Sequence, residues 1–265
     1  MNCMKGNKKI GITAEAVALM KAERNVDPYS KYFVTPRVRF SVGLSRLIVP
    51  KTVERVFSKR IELSEDIAGI VKKYKPEQII DLGSGGSTFV FDYAIKHPKV
   101  NCIEIDMREI VKWKRSILEE IKKVENLGEV SNFHVEACDL LQEDIYGAIK
   151  PHFKTGKKTL IMSIGVNSYF DHAQYDVLFD KLEKFMEKTG AEYLSHESLS
   201  EQRKELMTGF GGKVLRGFVR VLARSKSHAH FVSEKEFKDY FTEKKFEIEI
   251  VKRRPENLIY FLRAR

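Results

Sequence analysis

The sequence has little cysteine, the residue whose disulfides stabilise small extracellular domains, and it is also poor in proline and tryptophan. Its 265 residues include only three cysteines, seven prolines and one tryptophan. Cys3, Cys102 and Cys138 are too few and too widely spaced for a disulfide framework, and no pair has the spacing of a zinc knuckle. We therefore predict no metal site, and we expect Cys102 and Cys138 to fill space in a core.

Long apolar runs are also missing. The longest, "TLIMSIGV" and "RLIVP", fall well short of the roughly 18 residues of a membrane-spanning helix. The basic N-terminus is not followed by an apolar stretch of secretory type. An apolar fraction of 43% nevertheless suits a packed core rather than a disordered chain. We therefore expect a cytoplasmic protein with no membrane partner.

Acidic residues are in the minority, with 37 against 47 basic residues and a net charge of +10. Such an excess can indicate a polyanionic partner. Here the basic residues are mostly interleaved with acidic ones on predicted helix faces, as in "EKKFE", which is typical of solvated helices. A nucleic-acid partner is therefore not expected.

Apolar patterning predicts the order of elements. A helix is predicted over "TAEAVALMKAERN" with Thr13 as its N-cap, and residues 35 to 73 read as helical with a break near Pro50. Five strands then alternate with helices, which predicts right-handed crossovers and a parallel sheet. We predict an α/β fold: a doubly wound, mostly parallel seven-stranded sheet with a C-terminal antiparallel hairpin. Residues 1–75 would form an N-terminal helical cap, and residues 76–265 the core.

The stretch "IIDLGSGGSTFVFDYA" (79–94) contains the most informative motif. Gly83 and Gly85 let the backbone bend and approach a ligand closely. Thr88 replaces the glycine that a dinucleotide fingerprint requires at the sixth position, and no Gly-Lys-Ser/Thr of a P-loop follows. What remains is Asp81 before the loop and Asp106 at the next strand end, suited to a ribose diol. The alternative is a tight turn in which Asp81 only caps the following helix.

This pattern resembles the class I methyltransferases that use S-adenosylmethionine. In that setting Asp81 would neutralise the ammonium of the cofactor's amino-acid end. "AVALMKAERNVDPYSKYFV", "RIELSEDI", "CIEIDMREIVKWK" and "TLIMSIGVNSYF" resemble successive signatures of the leucine carboxyl methyltransferase family. That family includes phosphatase carboxyl methyltransferases and O-methyltransferases of polyketide pathways, and the similarity extends from about residue 14 to about residue 185.

The resemblance implies roles for further residues. Arg60 matches the arginine that holds the cofactor's carboxylate, and Gly83 matches the loop glycine. Asp106 matches the ribose-binding acid, with Glu104 as its rival on the same strand face. Asp139 and Leu140 match a pair that contacts the adenine through its amine and its ring face.

The acceptor side departs from the family pattern, because Ile164 stands where the family has a glutamate. Asn167 or Tyr169 is then a candidate polar contact. His196 at a predicted strand end is the favoured general base, with His228 and His230 as alternatives, and Arg37, Arg39 and Tyr32 are candidates for binding an acidic acceptor. We expect an O-methyltransferase acting on a carboxylate or hydroxyl of a small molecule or protein terminus. An RNA methyltransferase and a non-catalytic cofactor-binding protein remain the alternatives.

Overall fold

The computed structural model describes residues 8–200, 228–255 and 257–265, which contain a seven-stranded sheet in the order β3-β2-β1-β4-β5-β7-β6. The strands are β1 (Gln78–Leu82), β2 (Asn101–Asp106), β3 (Phe133–Ala137), β4 (Thr159–Ser163), β5 (Glu192–Glu197), β6 (Phe246–Arg254) and β7 (Asn257–Ala264). Strands β1 to β5 are parallel, and β7 runs antiparallel to both β5 and β6. The predicted fold class is therefore confirmed, including the terminal hairpin.

Helices cover both faces of this sheet. They are α1 (Lys8–Glu23), α2 (Pro36–Ile48), α3 (Pro50–Tyr74), α4 (Phe89–Lys96), α5 (Arg108–Val124), α6 (Ile145–Ile149), α7 (His172–Thr189) and α8 (Glu234–Glu243), with short 3-10 turns at Ser30–Phe33 and Asn167–Tyr169. None of the helices in the described ranges is both long and apolar enough to cross a bilayer.

The central strands read as continuous apolar runs because both of their faces are buried. Ile80 of β1 packs in a cluster with α6, α7 and α8, whereas its neighbour Ile79 packs in a cluster with α3 and α4. Cys138 belongs to the first cluster and Cys102 to the second, so both fill core space as predicted. The result is a three-layer arrangement with the sheet in the middle.

The position of β1 determines where a ligand can bind. β1 lies between β2 and β4, and the order of strands reverses between β1 and β4. In an open parallel sheet the crevice at such a reversal, beyond the carboxyl ends of the strands, is the usual ligand site. Asp81 is near the end of β1, paired in register with Glu104 of β2 and Met162 of β4.

The helices before β1 follow the prediction with one correction. Helices α2 and α3 are separated at Val49, because Pro50 restricts the residue that precedes it and begins the next helix. Helix α1 includes Lys8–Glu23, so Thr13 lies inside it and is not its N-cap. Helix α3 packs Leu63, Ile67 and Val71 against the sheet. The division into a cap (1–75) and a core (76–265) stays a prediction.

Candidate cofactor site

The glycine loop after β1 needs two of its glycines for different reasons. Gly83 has φ +69°, and a Cβ at this position would lie 2.6 Å from Cγ2 of Val166 in the loop after β4. Gly85 has φ +50°, and its N–H donates to Oδ2 of Asp106 at 2.7 Å. Positive φ is strained for residues with a Cβ. The loop is therefore held against both neighbouring strand ends.

Asp81 is a buried carboxylate beside this loop. The residue is only 6% exposed, and no hydrogen bond to its carboxylate is found among the described residues. Burial, with a smaller contribution from the neighbouring Glu104, raises its pKa to about 8, while the charges of Lys114 and Lys21 oppose the shift. A buried acid without a donor is costly to ionise unless a cation binds beside it.

Asp106 closes the second strand and organises the loop. Its Oδ2 accepts from the N–H of Gly85, and its Oδ1 accepts from the N–H of Met107 at 2.7 Å. Burial raises the pKa of this carboxyl, and these two hydrogen bonds oppose the shift. Because each carboxylate oxygen has a second lone pair, Asp106 can still accept from a ligand's hydroxyls.

Glu104 is committed to the protein interior. It is fully buried and forms an ion pair with Lys114 of α5, which is also fully buried. The Lys114 ammonium also donates to Oγ of Ser84 at 3.0 Å and to the carbonyl of Ser87 at 2.6 Å, so it ties α5 to the glycine loop. Between the two rivals for the ribose, this geometry favours Asp106 over Glu104, although the role itself stays a prediction.

Sequence reasoning missed Lys114, although a signal was available. Ile110, Lys114, Leu118 and Ile121 recur at the three- and four-residue spacing of one helix face, and all of them are buried. A lysine at an apolar-face position requires a buried partner. That partner is Glu104, two residues before the predicted ribose acid.

Asp139 and Leu140 lie in the turn after β3. Oδ1 of Asp139 accepts from the N–H of Leu141 at 2.9 Å, which stabilises its own turn, and Leu140 is 7% exposed at the margin of the core. The ammonium of Lys181 on α7 donates to the carbonyls of Leu141 at 2.7 Å and Glu143 at 2.9 Å. This lysine fixes the backbone of the predicted adenine turn.

Arg60 reaches the same edge of the sheet from α3. Its side chain is exposed, and its Nη1 lies 3.5 Å from the position that a Cβ of Gly165 would occupy. Gly165 precedes Val166, which packs on Gly83, so the Arg60 guanidinium lies near the crevice between β1 and β4. Ile164, at the position of the family's glutamate, packs against the apolar cluster on the α3 side of the sheet.

Asn167 is the centre of a buried polar network beneath the loop after β4. Its amide accepts from Ser163 Oγ at 2.7 Å and donates to the hydroxyl of Tyr193 at 2.9 Å. His230 Nε2 lies 3.1 Å from the Asn167 carbonyl oxygen, and the N–H of His228 donates to the Ser168 carbonyl at 2.8 Å. These contacts make Asn167 and His230 supports of the loop, while His228 lies beside it.

The two predicted acceptor-side residues are in different environments. Tyr169 follows Asn167 and is 37% exposed, so its ring is accessible from solvent. His196 is half-buried near the end of β5, and the alternation of a strand places it on the face of Leu194, which packs on the α3 side. The structure does not bring His196 and Tyr169 together in any described contact.

The helical segment before β1 is bonded directly to the glycine loop. Asp27, only 5% exposed, accepts from the N–H of Thr88 at 3.1 Å and from the Thr88 hydroxyl. Lys21 of α1 donates to Oγ of Ser87 at 3.1 Å and lies 3.8 Å from Asp27. Asp27 thus caps α4, whose own N-cap residue Thr88 makes no side-chain cap hydrogen bond.

Comparisons with known proteins identify the family of this chain. The sequence model of the family described as leucine carboxyl methyltransferase matches residues 15–183, which include the glycine loop, both acidic strand ends and the adenine turn. A search of curated protein sequences found no match.

Solved structures share the fold at low identity. A putative methyltransferase from Thermobifida fusca superposes with a TM-score of 0.61 at 13% identity, covering 99% of this chain and 97% of that one. A DUF574 family protein from Streptomyces avermitilis gives 0.63 at 12% identity, covering 96% and 97%. A putative O-methyltransferase from Nostoc punctiforme gives 0.49 at 15% identity over 74% of this chain, which spans only 54% of the length of that protein.

Proposed function

The chain belongs to the leucine carboxyl methyltransferase family, and from this premise we propose that it transfers a methyl group from S-adenosylmethionine to an oxygen atom. The acceptor would be a carboxylate or hydroxyl of a small molecule or of a protein terminus. The observation that carries the cofactor assignment is Asp81, a buried carboxylate at the strand reversal with no described hydrogen-bond donor.

The residues at this edge fit the parts of such a cofactor. Asp81 would hold the ammonium, and Arg60 would hold the carboxylate with the paired donors of its guanidinium. Asp106 has free lone pairs for the ribose hydroxyls. Asp139 would accept from the adenine amine, since one of its oxygens is not used by its own turn, and Leu140 would cover a ring face.

When bound, the sulfonium cofactor supplies an already activated methyl group. The chain then has to align the acceptor oxygen and exclude water. A carboxylate acceptor is ionised at neutral pH and needs no base, whereas a hydroxyl acceptor would benefit from one. Under this proposal Arg60 and Asp81 orient the amino-acid end, the loop from Ile164 to Tyr169 borders the methyl, and His196 receives the proton of a hydroxyl acceptor.

The cofactor assignment is tested by titration calorimetry with S-adenosylmethionine and S-adenosylhomocysteine. We expect Asp81→Asn to weaken both by about tenfold or more, equivalent to about 1.4 kcal/mol, because the amide removes the charge but keeps the shape. Asp92→Asn is the matched control, since Asp92 pairs at the surface with Lys96 and should bind normally. Unchanged affinity in Asp81→Asn would remove the basis of the proposal.

Transfer is tested separately with labelled cofactor and a panel of carboxylate and hydroxyl acceptors. Methyl esters or ethers among the products would support O-methylation. Tight cofactor binding with no transfer to any acceptor would instead favour the non-catalytic alternative.

His196→Gln tests the proposed base once an acceptor is found. We expect turnover on a hydroxyl acceptor to fall by about a hundredfold, the usual scale of general-base catalysis, with cofactor affinity unchanged and the acidic limb of the pH–rate profile lost. Turnover on a carboxylate acceptor should change little. An unaltered pH profile on a hydroxyl acceptor would exclude the role.

A further inference from the structure

Helix α2 exposes a row of large apolar side chains. Phe40 is 74% exposed, Leu44 39%, Leu47 83% and Ile48 49%. These residues follow one another at spacings of four, three and one, so they share one face of the helix. We call them the α2 apolar face. Exposed apolar side chains are common singly, but a contiguous group of four marks an interaction surface.

The charges in this part of the sequence are all of one sign. Residues 28–53 contain five basic residues and no Asp or Glu. Arg37 and Arg39 are exposed just before Phe40, and Lys51 is exposed just after the helix. No acidic side chain within this segment therefore offsets its positive charge.

The opposite side of α2 is fixed to the protein. Val38 and Ser45 are buried, and Arg46 pairs with Glu23 at 2.6 Å and with Glu54 at 3.0 Å. The ion pairs join α2 to α1 and to α3. The apolar face is thus presented on a helix that the protein holds in place.

We propose that the α2 apolar face binds the surface of an anionic lipid bilayer, with Phe40 and Leu47 entering the interface and the flanking arginines and Lys51 meeting lipid headgroups. A helix with an apolar face and basic flanks has the chemistry of an interfacial membrane helix. The expectation of no membrane partner came from the lack of a membrane-spanning segment. That lack argues against a helix that crosses the bilayer, but it does not bear on binding at the bilayer surface.

The charge of this segment distinguishes an anionic bilayer from the other partners that could cover the α2 apolar face. A second copy docking through the same face would bring two acid-free basic segments together, and like charges across an interface oppose association. A nucleic acid would satisfy the basic residues but would leave Phe40, Leu47 and Ile48 against phosphates. An anionic bilayer satisfies both the charge and the apolar side chains.

The test is sedimentation of the full chain with vesicles of pure phosphatidylcholine and with vesicles in which part of it is replaced by phosphatidylglycerol. We expect binding to the anionic vesicles that weakens in high salt. Phe40→Ser combined with Leu47→Ser should lower the partition coefficient by about fivefold or more. The matched control is Val124→Ser combined with Val251→Ser, which removes valines 61% and 39% exposed elsewhere and should bind normally.

Thermal unfolding and S-adenosylhomocysteine affinity establish that each variant is folded, and neither depends on the membrane proposal. Lack of binding to anionic vesicles would overturn it, as would equal binding by the Phe40→Ser, Leu47→Ser variant. Light scattering that shows a dimer made monomeric by the same two changes would assign the α2 apolar face to a second copy instead.

Discussion

At the scale of single residues, the candidate site is dominated by ionisable groups removed from water. Asp81, Glu104 and Lys114 are buried within one small region, yet only Glu104 and Lys114 pair with each other. The charges of Glu104 and Lys114 compensate each other, whereas no described residue forms an ion pair or hydrogen bond with the carboxylate of Asp81. Ionisation of Asp81 is therefore favoured only when a cationic ligand binds beside it.

This arrangement predicts that cofactor affinity depends on pH. Burial raises the pKa of Asp81 from 3.8 to about 8, with Glu104 and Asp106 adding to the shift and Lys114 and Lys21 opposing it. Below about pH 8 the ligand-free protein holds a neutral Asp81, while an ammonium requires the carboxylate. We expect affinity to rise between about pH 6 and pH 8, by up to about tenfold per unit, with a proton released on binding.

Calorimetry in buffers of different ionisation enthalpy measures that proton. Asp81→Asn is the control and should show a flatter pH dependence of cofactor affinity. An equally steep slope in this variant would contradict the assignment.

The free energy of unfolding of the ligand-free protein should change with pH in the opposite direction, decreasing as the pH rises. The pKa of Asp81 is higher in the folded state than in the unfolded state. Its contribution to the free energy of unfolding is therefore fully present below about pH 4 and is lost as the pH rises through about 8.

At the scale of elements, the glycine loop and the loop after β4 must fit each other closely. Gly83 combines a positive φ with contact to Val166, and Asn167 anchors the same β4 loop from below through Ser163 and Tyr193. The two loops therefore form one packed unit at the reversal of the sheet. A side chain added to either loop has to displace the other.

An alanine at Gly83 would suffer both backbone strain and a steric clash with Val166. Comparison with a second glycine that has the same positive φ but open space separates the two effects. Gly190, at the end of α7, has φ +67° and open space where a Cβ would lie. Gly190→Ala should lose only the strain, about 1 kcal/mol. Gly83→Ala, with a Cβ 2.6 Å from Val166, should lose more stability in urea unfolding and should also weaken cofactor binding. Equal losses in the two variants would show that the β4 loop simply moves away.

The sequence allowed most elements and the fold class to be predicted, because periodicity is a local signal. Strands such as "QIIDL" and the break at Pro50 follow directly from apolar runs and proline chemistry. The partners of buried polar groups could not be predicted. Asn167 meets Tyr193 and His230 across three separate segments, and no local pattern shows which loops converge.

At the scale of the whole molecule, the helical segment before β1 and the sheet are connected through a few buried polar contacts. Asp27 bonds to Thr88, and Lys21 bonds to Ser87, so the segment that precedes the first strand caps the helix that follows it. We therefore expect the stability of α1 to be coupled to that of the glycine loop.

Asp27→Ala tests this connection. The change leaves the buried N–H of Thr88 without its acceptor and removes a negative charge from a helix N-terminus, so we expect a loss of about 1–2 kcal/mol in the free energy of unfolding. Hydrogen exchange should accelerate in both α1 and the glycine loop. Asp239→Ala, which removes an exposed pair with Lys235 on α8, is the control; if faster exchange stayed confined to α1, the two parts would not be coupled.

The placement of β7 has a consequence for synthesis of the protein. This strand follows β6 in the chain but lies between β5 and β6 in the sheet. Until residues 257–264 have been translated, β5 and β6 both lack the strand with which they pair in the folded sheet. Nascent chains should therefore expose an unpaired edge until β7 has been made, a state in which chaperones and aggregation compete for the same backbone.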